Sequence, residues 1–163
     1  MWYDDVLRSG FDGLKSTVWL SICSLLISLM AGLALGIASH LYPRTRLAIS
    51  LYTMTWRGLP VLVTLFAAFF LLPLSGVRVS GSVALVTGLS LWGSAYITEI
   101  TIGALQGVPR SQSTAARALG FGKWGALLYV LFPQAIRRML PSMVTIMIAM
   151  IQATSLAARL RAA

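Results

Sequence analysis

Long apolar runs separated by short basic segments organise the chain. Between Lys15 and Arg44 lie 28 residues without a formal charge, and from Ser16 to Ser39 they are mostly Leu, Ile, Ala, Gly and Ser. One bilayer crossing takes about 20 apolar residues, so this run spans with length to spare. Gly58 to Val77 gives 20 uncharged residues centred on Val61 to Leu72, a second and shorter span closed by Pro73. Val79 to Pro109 carries only Glu99, and Ser82 to Ile102 within it is apolar enough to cross. Met139 to Ala158, with Pro141 near its start, supplies a fourth span of marginal length. A hydrocarbon core offers backbone N–H and C=O groups no partners, and the alternation of barrel strands is missing, so the spans are helices. The expected fold class is all-α, a polytopic membrane protein with about four transmembrane helices.

Composition agrees: 58% of the residues are hydrophobic and 10% charged, against about 25% charged in ordinary soluble domains. The net charge of +9 would suggest nucleic acid in a soluble chain. Here the cations sit between spans, and no nucleic-acid partner is expected. One cysteine, Cys23, and one histidine, His40, exclude a disulfide framework and a zinc cluster. An intramembrane protease would need a Gly-x-Ser-Gly with a buried histidine, or H-E-x-x-H, and neither occurs. Asp4, Asp5 and Asp12 precede the first run in place of a basic segment, which argues against a cleaved signal peptide.

Lysine and arginine counts in short connections set orientation. Gly103 to Arg138 carries Arg110, Arg117, Lys123, Arg137 and Arg138 without an acid, so it should face the cytoplasm. Leu41 to Arg57 carries three arginines and Ser75 to Gly81 only Arg78, consistent with an N-terminus outside. Arg159 and Arg161 break the pattern: either the tail is abnormal or the fourth span does not fully cross.

Two features lie inside the spans. Ser28, Gly32 and Gly36 recur every fourth residue, a small-residue stripe that lets helix backbones approach closely. Packing within the chain is favoured over a dedicated dimer face. Glu99 is the last acid in the sequence. An intramembrane carboxylate marks a substrate pathway or gate; equally, Glu99 could sit near the interface opposite Arg110 or Arg57 and fix the helix.

The basic connection holds two helix-forming pieces, Gln112 to Leu119 and Trp124 to Leu131, parted by Gly120-Phe-Gly122. Ala115, Ala116 and Ala118 leave a small, smooth surface suited to a groove on another protein. In the second piece Leu127, Leu128 and Leu131 form an apolar stripe that Phe132-Pro133 closes. The alternative is an amphipathic pair lying on the cytoplasmic leaflet.

Thr114-Ala-Ala-Arg-Ala-Leu-Gly120 followed by Tyr129-Val-Leu-Phe-Pro133 resembles the "EAA" loop of the permease subunits of bacterial ATP-binding-cassette importers, in their polar amino acid branch. Ala115, Ala116, Gly120 and Pro133 match, and Val130 and Phe132 are apolar replacements at the right spacing. Arg57-Gly-Leu-Pro-Val-Leu-Val63, Ala95-Tyr-Ile-Thr-Glu99, Pro133-Gln-Ala-Ile-Arg137 and Thr154-Ser-Leu156 are similar to further blocks of that branch, in order. The resemblance implies a type I importer transmembrane domain over residues 13–163, preceded by a periplasmic segment 1–12. It also implies bacterial inner-membrane localisation and a coupling helix, made by Thr114, Ala115, Ala116 and Gly120, that docks in a cytoplasmic ATPase dimer. A second permease subunit, identical or homologous, and a periplasmic or lipid-anchored solute-binding protein are the other implied protein partners, beside membrane lipids. The chain itself binds no cofactor in this reading; ATP and Mg belong to the ATPase. Glu99 is implied to lie beside the translocation path. Two departures follow. The family's glutamate is Thr114 here, which weakens a charged contact or makes Thr114 the cap of the helix that starts there. The chain also ends soon after Thr-Ser-Leu, so the expectation is a permease lacking its last span, and the alternative function is a truncated, non-transporting remnant that keeps the fold or an interaction role.

Overall fold

A computed structural model describes the backbone of residues 2–74, 76 and 80–161, and the side chains of residues 13–74, 76 and 80–155. Expectations resting on Arg78, on the acids of segment 1–12 and on Arg159 and Arg161 fall outside the described side chains. The described secondary structure is all helical. Helix α1 runs Trp2–Leu41, and a short 3-10 turn at Pro43–Thr45 leads into α2, Arg46–Gly58. Then come α3, Val61–Leu74; α4, Gly81–Gln106; α5, Arg110–Ala118; and α6, Lys123–Gly125. A π-helical segment, Ala126–Leu131, joins α6 to α7, Phe132–Arg161.

Among the described residues three helices are long and apolar enough to cross a bilayer: 13–41, 81–106 and 123–155. The expected second span is different. Pro60 has no N–H and pushes the preceding Leu59 out of the helical region, to φ −92° and ψ 133°. Helix 43–58 and α3 therefore meet at 98°. The 14 residues of α3 reach only about 21 Å at 1.5 Å per residue, short of a hydrocarbon core of about 30 Å. The bent pair makes a fourth span only if counted as one.

The second half of the basic connection is also corrected. Phe132-Pro133 does not close a separate helix: Lys123 to Ser155 is one helix of 33 residues, with Pro133 and Pro141 inside it. The wider π turn precedes Pro133, and Phe132 N–H bonds Leu127 O, five residues back. That register change falls where Pro133 would break the α ladder. The piece 124–131 is thus the entry to the last span, not half of an amphipathic pair on the leaflet.

Helix α4 is the hub. Its Leu85, Leu89, Trp92 and Ile97 pack with Leu65 of α3 and with Ile146, Met150 and Ala153 of α7. At its other end Ala104 and Leu105 meet Val108, Leu127, Leu131, Ala135 and Met139. Apolar side chains on α1, α3 and α7, such as Trp19, Met30, Phe70 and Ile151, point outward, as lipid-facing side chains do.

Candidate functional site

Helix α4 stops because Val108 precedes Pro109, which disfavours a helical conformation there. Pro109, at φ −55° and ψ 136°, then opens α5. The far end of α5 closes on Gly120 at φ +85°. Phe121 N–H bonds Ala116 O at 3.1 Å and Gly120 N–H bonds Arg117 O at 3.0 Å, the paired bonds of a Schellman cap. A side chain at Gly120 would meet no neighbour but would have to adopt that left-handed backbone.

Thr114 is the fifth residue of α5, and its hydroxyl donates to Arg110 O at 3.2 Å. The helix begins a turn earlier, so Thr114 is not its cap. Thr114 and Ala115 are exposed, whereas Ala116 is buried. Val130 is half-buried in the π segment, Phe132 half-buried at the start of α7, and Pro133 exposed beside it. Around Gly120 the chain exposes Leu119 (79%), Phe121, Trp124 and Tyr129 (75%). Phe121 and Tyr129 lie 6.2 Å apart between ring centroids. Sequence reading missed this apolar rim; the signal was four large apolar residues inside a basic connection, on both sides of the glycines.

Two residues one turn apart on α7 hold the entry to α5. Gln134 Nε2 donates to Gln112 Oε1 at 3.3 Å and to Val130 O at 2.9 Å. Arg138 Nη1 donates to Gly107 O, at the end of α4.

Glu99 faces Arg57, not Arg110: Arg57 Nη1 stands 3.4 Å from Glu99 Oε2. The guanidinium lies 5.3 Å from the Tyr96 ring centroid, and Tyr96 packs on Trp92 at 4.5 Å. The pair bridges the end of α2 to α4. With side chains 42% and 33% exposed, it contributes at most about 1 kcal/mol. Glu99 also reaches the wall of a cavity of about 710 Å³ between the adjoining ends of α1, α2, α4 and α5. Among the described residues no group of three or more His, Cys, Asp or Glu side chains could hold a metal.

The small-residue stripe of α1 lies against α4. A Cβ at Gly32 would stand 2.6 Å from Ile97 Cβ, and one at Gly36 2.5 Å from Thr101 Cβ. Ser28 Oγ donates to Ser90 O at 3.4 Å. Gly93 on α4 completes the seam, since a Cβ there would meet Ser28 Oγ at 2.6 Å and Met150 Sδ at 2.8 Å.

Residues 16–160 match the family described as binding-protein-dependent transport system inner membrane component. The probable glutamine ABC transporter permease protein GlnP of Bacillus subtilis (strain 168) is 32% identical over 90% of this chain and 68% of its own length. The probable amino-acid ABC transporter permease protein YckA of the same organism is 36% identical over 81% of this chain and 61% of its own length. The chain thus spans about two thirds of the curated relatives it matches. Among solved structures, the crystal structure of an amino acid ABC transporter with histidines superposes with a TM-score of 0.82, at 28% identity over 98% of this chain and 76% of that one. The fold is that of the multi-pass inner-membrane subunits of ABC importers, and the chain belongs to the binding-protein-dependent transport system inner membrane component family, in its amino-acid permease branch.

Proposed function

We propose that the chain is a permease subunit of an ATP-driven importer for polar amino acids, and that residues 110–133 couple it to a separate ATPase. The observation that carries this is α5 itself: a short helix with an exposed small surface, ended by the Gly120 cap and rimmed by exposed Leu119, Phe121, Trp124 and Tyr129. An exposed apolar rim around a rigid turn suits insertion into a cleft. Thr114 and Ala115 form the inserted surface and Gly120 its bend in this reading, while Ala116, expected on that surface, is buried and seats α5 against the rest of the chain. Val130, Phe132 and Pro133 connect it to α7, so a displacement of α5 is passed to a spanning helix. In orientation, residues 103–138 face the cytoplasm and the N-terminus lies outside, following the basic residues of that connection. The partners are a cytoplasmic ATPase dimer, a second permease subunit and a periplasmic or lipid-anchored solute-binding protein. Glu99, paired with Arg57 at the cavity wall, is the gate candidate.

The test is co-purification in detergent with an ATPase subunit of the polar amino acid type, followed by ATPase assay in vesicles with the solute-binding protein added. The chain should retain the ATPase subunit, Gly120→Trp should release it, and Gly122→Ala should not. Retention unaffected by Gly120→Trp would sink the coupling role.

A further inference from the structure

The cavity between the helix ends has an electrostatic imbalance among its described residues. Arg46, Arg110 and His40 line it, with the hydroxyls of Ser39, Ser50 and Ser113. Among the described residues its one acid is Glu99, and that carboxylate is already engaged by Arg57 from outside the wall. The remaining acids of the sequence are Asp4, Asp5 and Asp12. Asp12 and His40 both belong to α1 and are separated along it by about 42 Å at 1.5 Å per residue. Among the described side chains, then, no acid is left to neutralise Arg46 and Arg110.

The helix ends add to the same field. The C-terminal carbonyls of α1 are met by Arg46, whose Nε donates to Ser39 O at 3.1 Å, and those of α4 by Arg138 on Gly107 O. Their negative ends are thus covered. Helix α5 points its N-terminal turn at the cavity through Arg110 and Ser113, with no acidic residue and no side-chain cap in that turn. Among the described residues the side chains of Arg110 and His40 have no hydrogen-bond or ion-pair partner. The opposite wall is apolar, made by Ile102, Leu105, Val108 and Leu131.

We propose that this cavity is a binding site for a phosphate-bearing anion, supplied by the headgroup of an anionic phospholipid. Arg46 and Arg110 bind the phosphate oxygens, the serine hydroxyls donate to them, and the apolar wall takes the glycerol and first methylenes. A lipid is favoured over a free ion because the cavity lies where two spanning helices, α1 and α4, end, at the depth of headgroups. Basic pockets at the cytoplasmic ends of spanning helices bind such headgroups. The site stands whether or not the chain transports, and its test does not read transport.

The full chain in nonionic detergent is titrated with phosphatidylglycerol, phosphatidylcholine or inorganic phosphate and read by native mass spectrometry. One phosphatidylglycerol should be retained roughly tenfold more tightly than phosphatidylcholine. Replacing both arginines (R46Q with R110Q) should remove that preference, the paired lysine replacements (R46K with R110K) should keep it, and millimolar inorganic phosphate should not displace the lipid. Equal retention of the two lipids, or a preference that survives R46Q with R110Q, overturns the site. So does equal loss in the glutamine and lysine pairs, which would make the effect one of folding and not of charge. Full displacement by inorganic phosphate overturns the lipid source, and loss of the preference when the ATPase subunit is bound would assign the counter-charge to an acidic side chain of that partner.

Discussion

Gly36→Ala should separate α1 from α4. The added Cβ would stand 2.5 Å from Thr101 Cβ, 2.6 Å from Thr101 Cγ2 and 3.1 Å from Thr98 O. Carbon pairs rest at about 3.5–4.0 Å, so α1 must retreat by roughly 1 Å. Thr101 cannot turn aside. Its Cβ is fixed to the α4 backbone, it is fully buried, and its hydroxyl is bonded to Ile97 O at 2.7 Å. A gap of that size forfeits a quarter to a half of each dispersion contact along the seam, and overpacking of this kind costs ~1–3 kcal/mol. Rigid contacts place Gly36 at the upper end, about 3 kcal/mol, offset by about 1 kcal/mol of helix propensity gained by alanine. The net loss is about 2 kcal/mol.

Gly103→Ala is the matched control, because nothing lies within 4 Å of a Cβ built there. It keeps the propensity gain without the clash and should be neutral to about 1 kcal/mol more stable. Both variants are unfolded by rising SDS fraction in mixed micelles and followed by circular dichroism. Gly36→Ala should lie about 3 kcal/mol below Gly103→Ala. Equal stability of the two would refute the close-approach reading of the α1 stripe.

Three further outcomes follow from particular contacts. Gly120→Val should destabilise the α5 turn by about 1–2 kcal/mol because its φ of +85° is costly to a branched side chain, whereas Gly122→Ala, at φ −67° and with open space around it, should leave the midpoint unchanged; thermal unfolding reads both. A double-mutant cycle on Arg57→Ala and Glu99→Gln should give a coupling of ~0.2–1 kcal/mol that falls with salt, and a coupling above about 2 kcal/mol would show the pair to be desolvated. Arg138→Ala removes the hydrogen bond to Gly107 O, and hydrogen exchange should rise over residues 107–112 while the middle of α4 stays protected; uniform loss of protection would mean a general loss of fold.

Residues differed in what they disclosed. The uncharged runs announced α1 and α4 because hydrophobicity over 18 or more residues has one physical outlet, a spanning helix. Gly120 announced its turn because only glycine enters the left-handed region without cost. The second span was read as 20 residues because hydropathy is blind to where a helix starts: the run from Gly58 is apolar, but its helix opens only at Val61, past a 98° bend at Leu59-Pro60. Pro133 misled in the opposite sense. A proline ordinarily closes a helix, but the π turn before it shifts the hydrogen-bond register at the position of the lost donor. The cavity was legible only in part, since Arg46, His40 and Arg110 lie far apart in sequence and meet only where helix ends converge.

The interior polar groups bear on how such a bundle can move. Thr98, Thr101, Thr154 and Ser24 are buried, yet each hydroxyl donates to a carbonyl four residues back in its own helix, at 2.7–2.8 Å. Between α1 and α4 the hydrogen bonds are the long ones, Ser28 to Ser90 O at 3.4 Å and Ser90 to Ser24 O at 3.5 Å. Tyr52, on α2, makes shorter bonds to α4, at 2.7 Å with Ser94 Oγ and 3.0 Å to Leu91 O. The α1–α4 seam is therefore held mainly by close contact, and apart from Ser28 and Ser90 these hydroxyls stay satisfied if the helices shift. In a bilayer an interface that relied on interhelical hydrogen bonds would strand polar groups in hydrocarbon each time it opened, at a cost of several kcal/mol per group. A seam built on glycine and self-satisfied threonine largely avoids that cost while keeping tight packing. Such a seam suits an importer permease subunit, whose helices must change their packing as the path opens and closes.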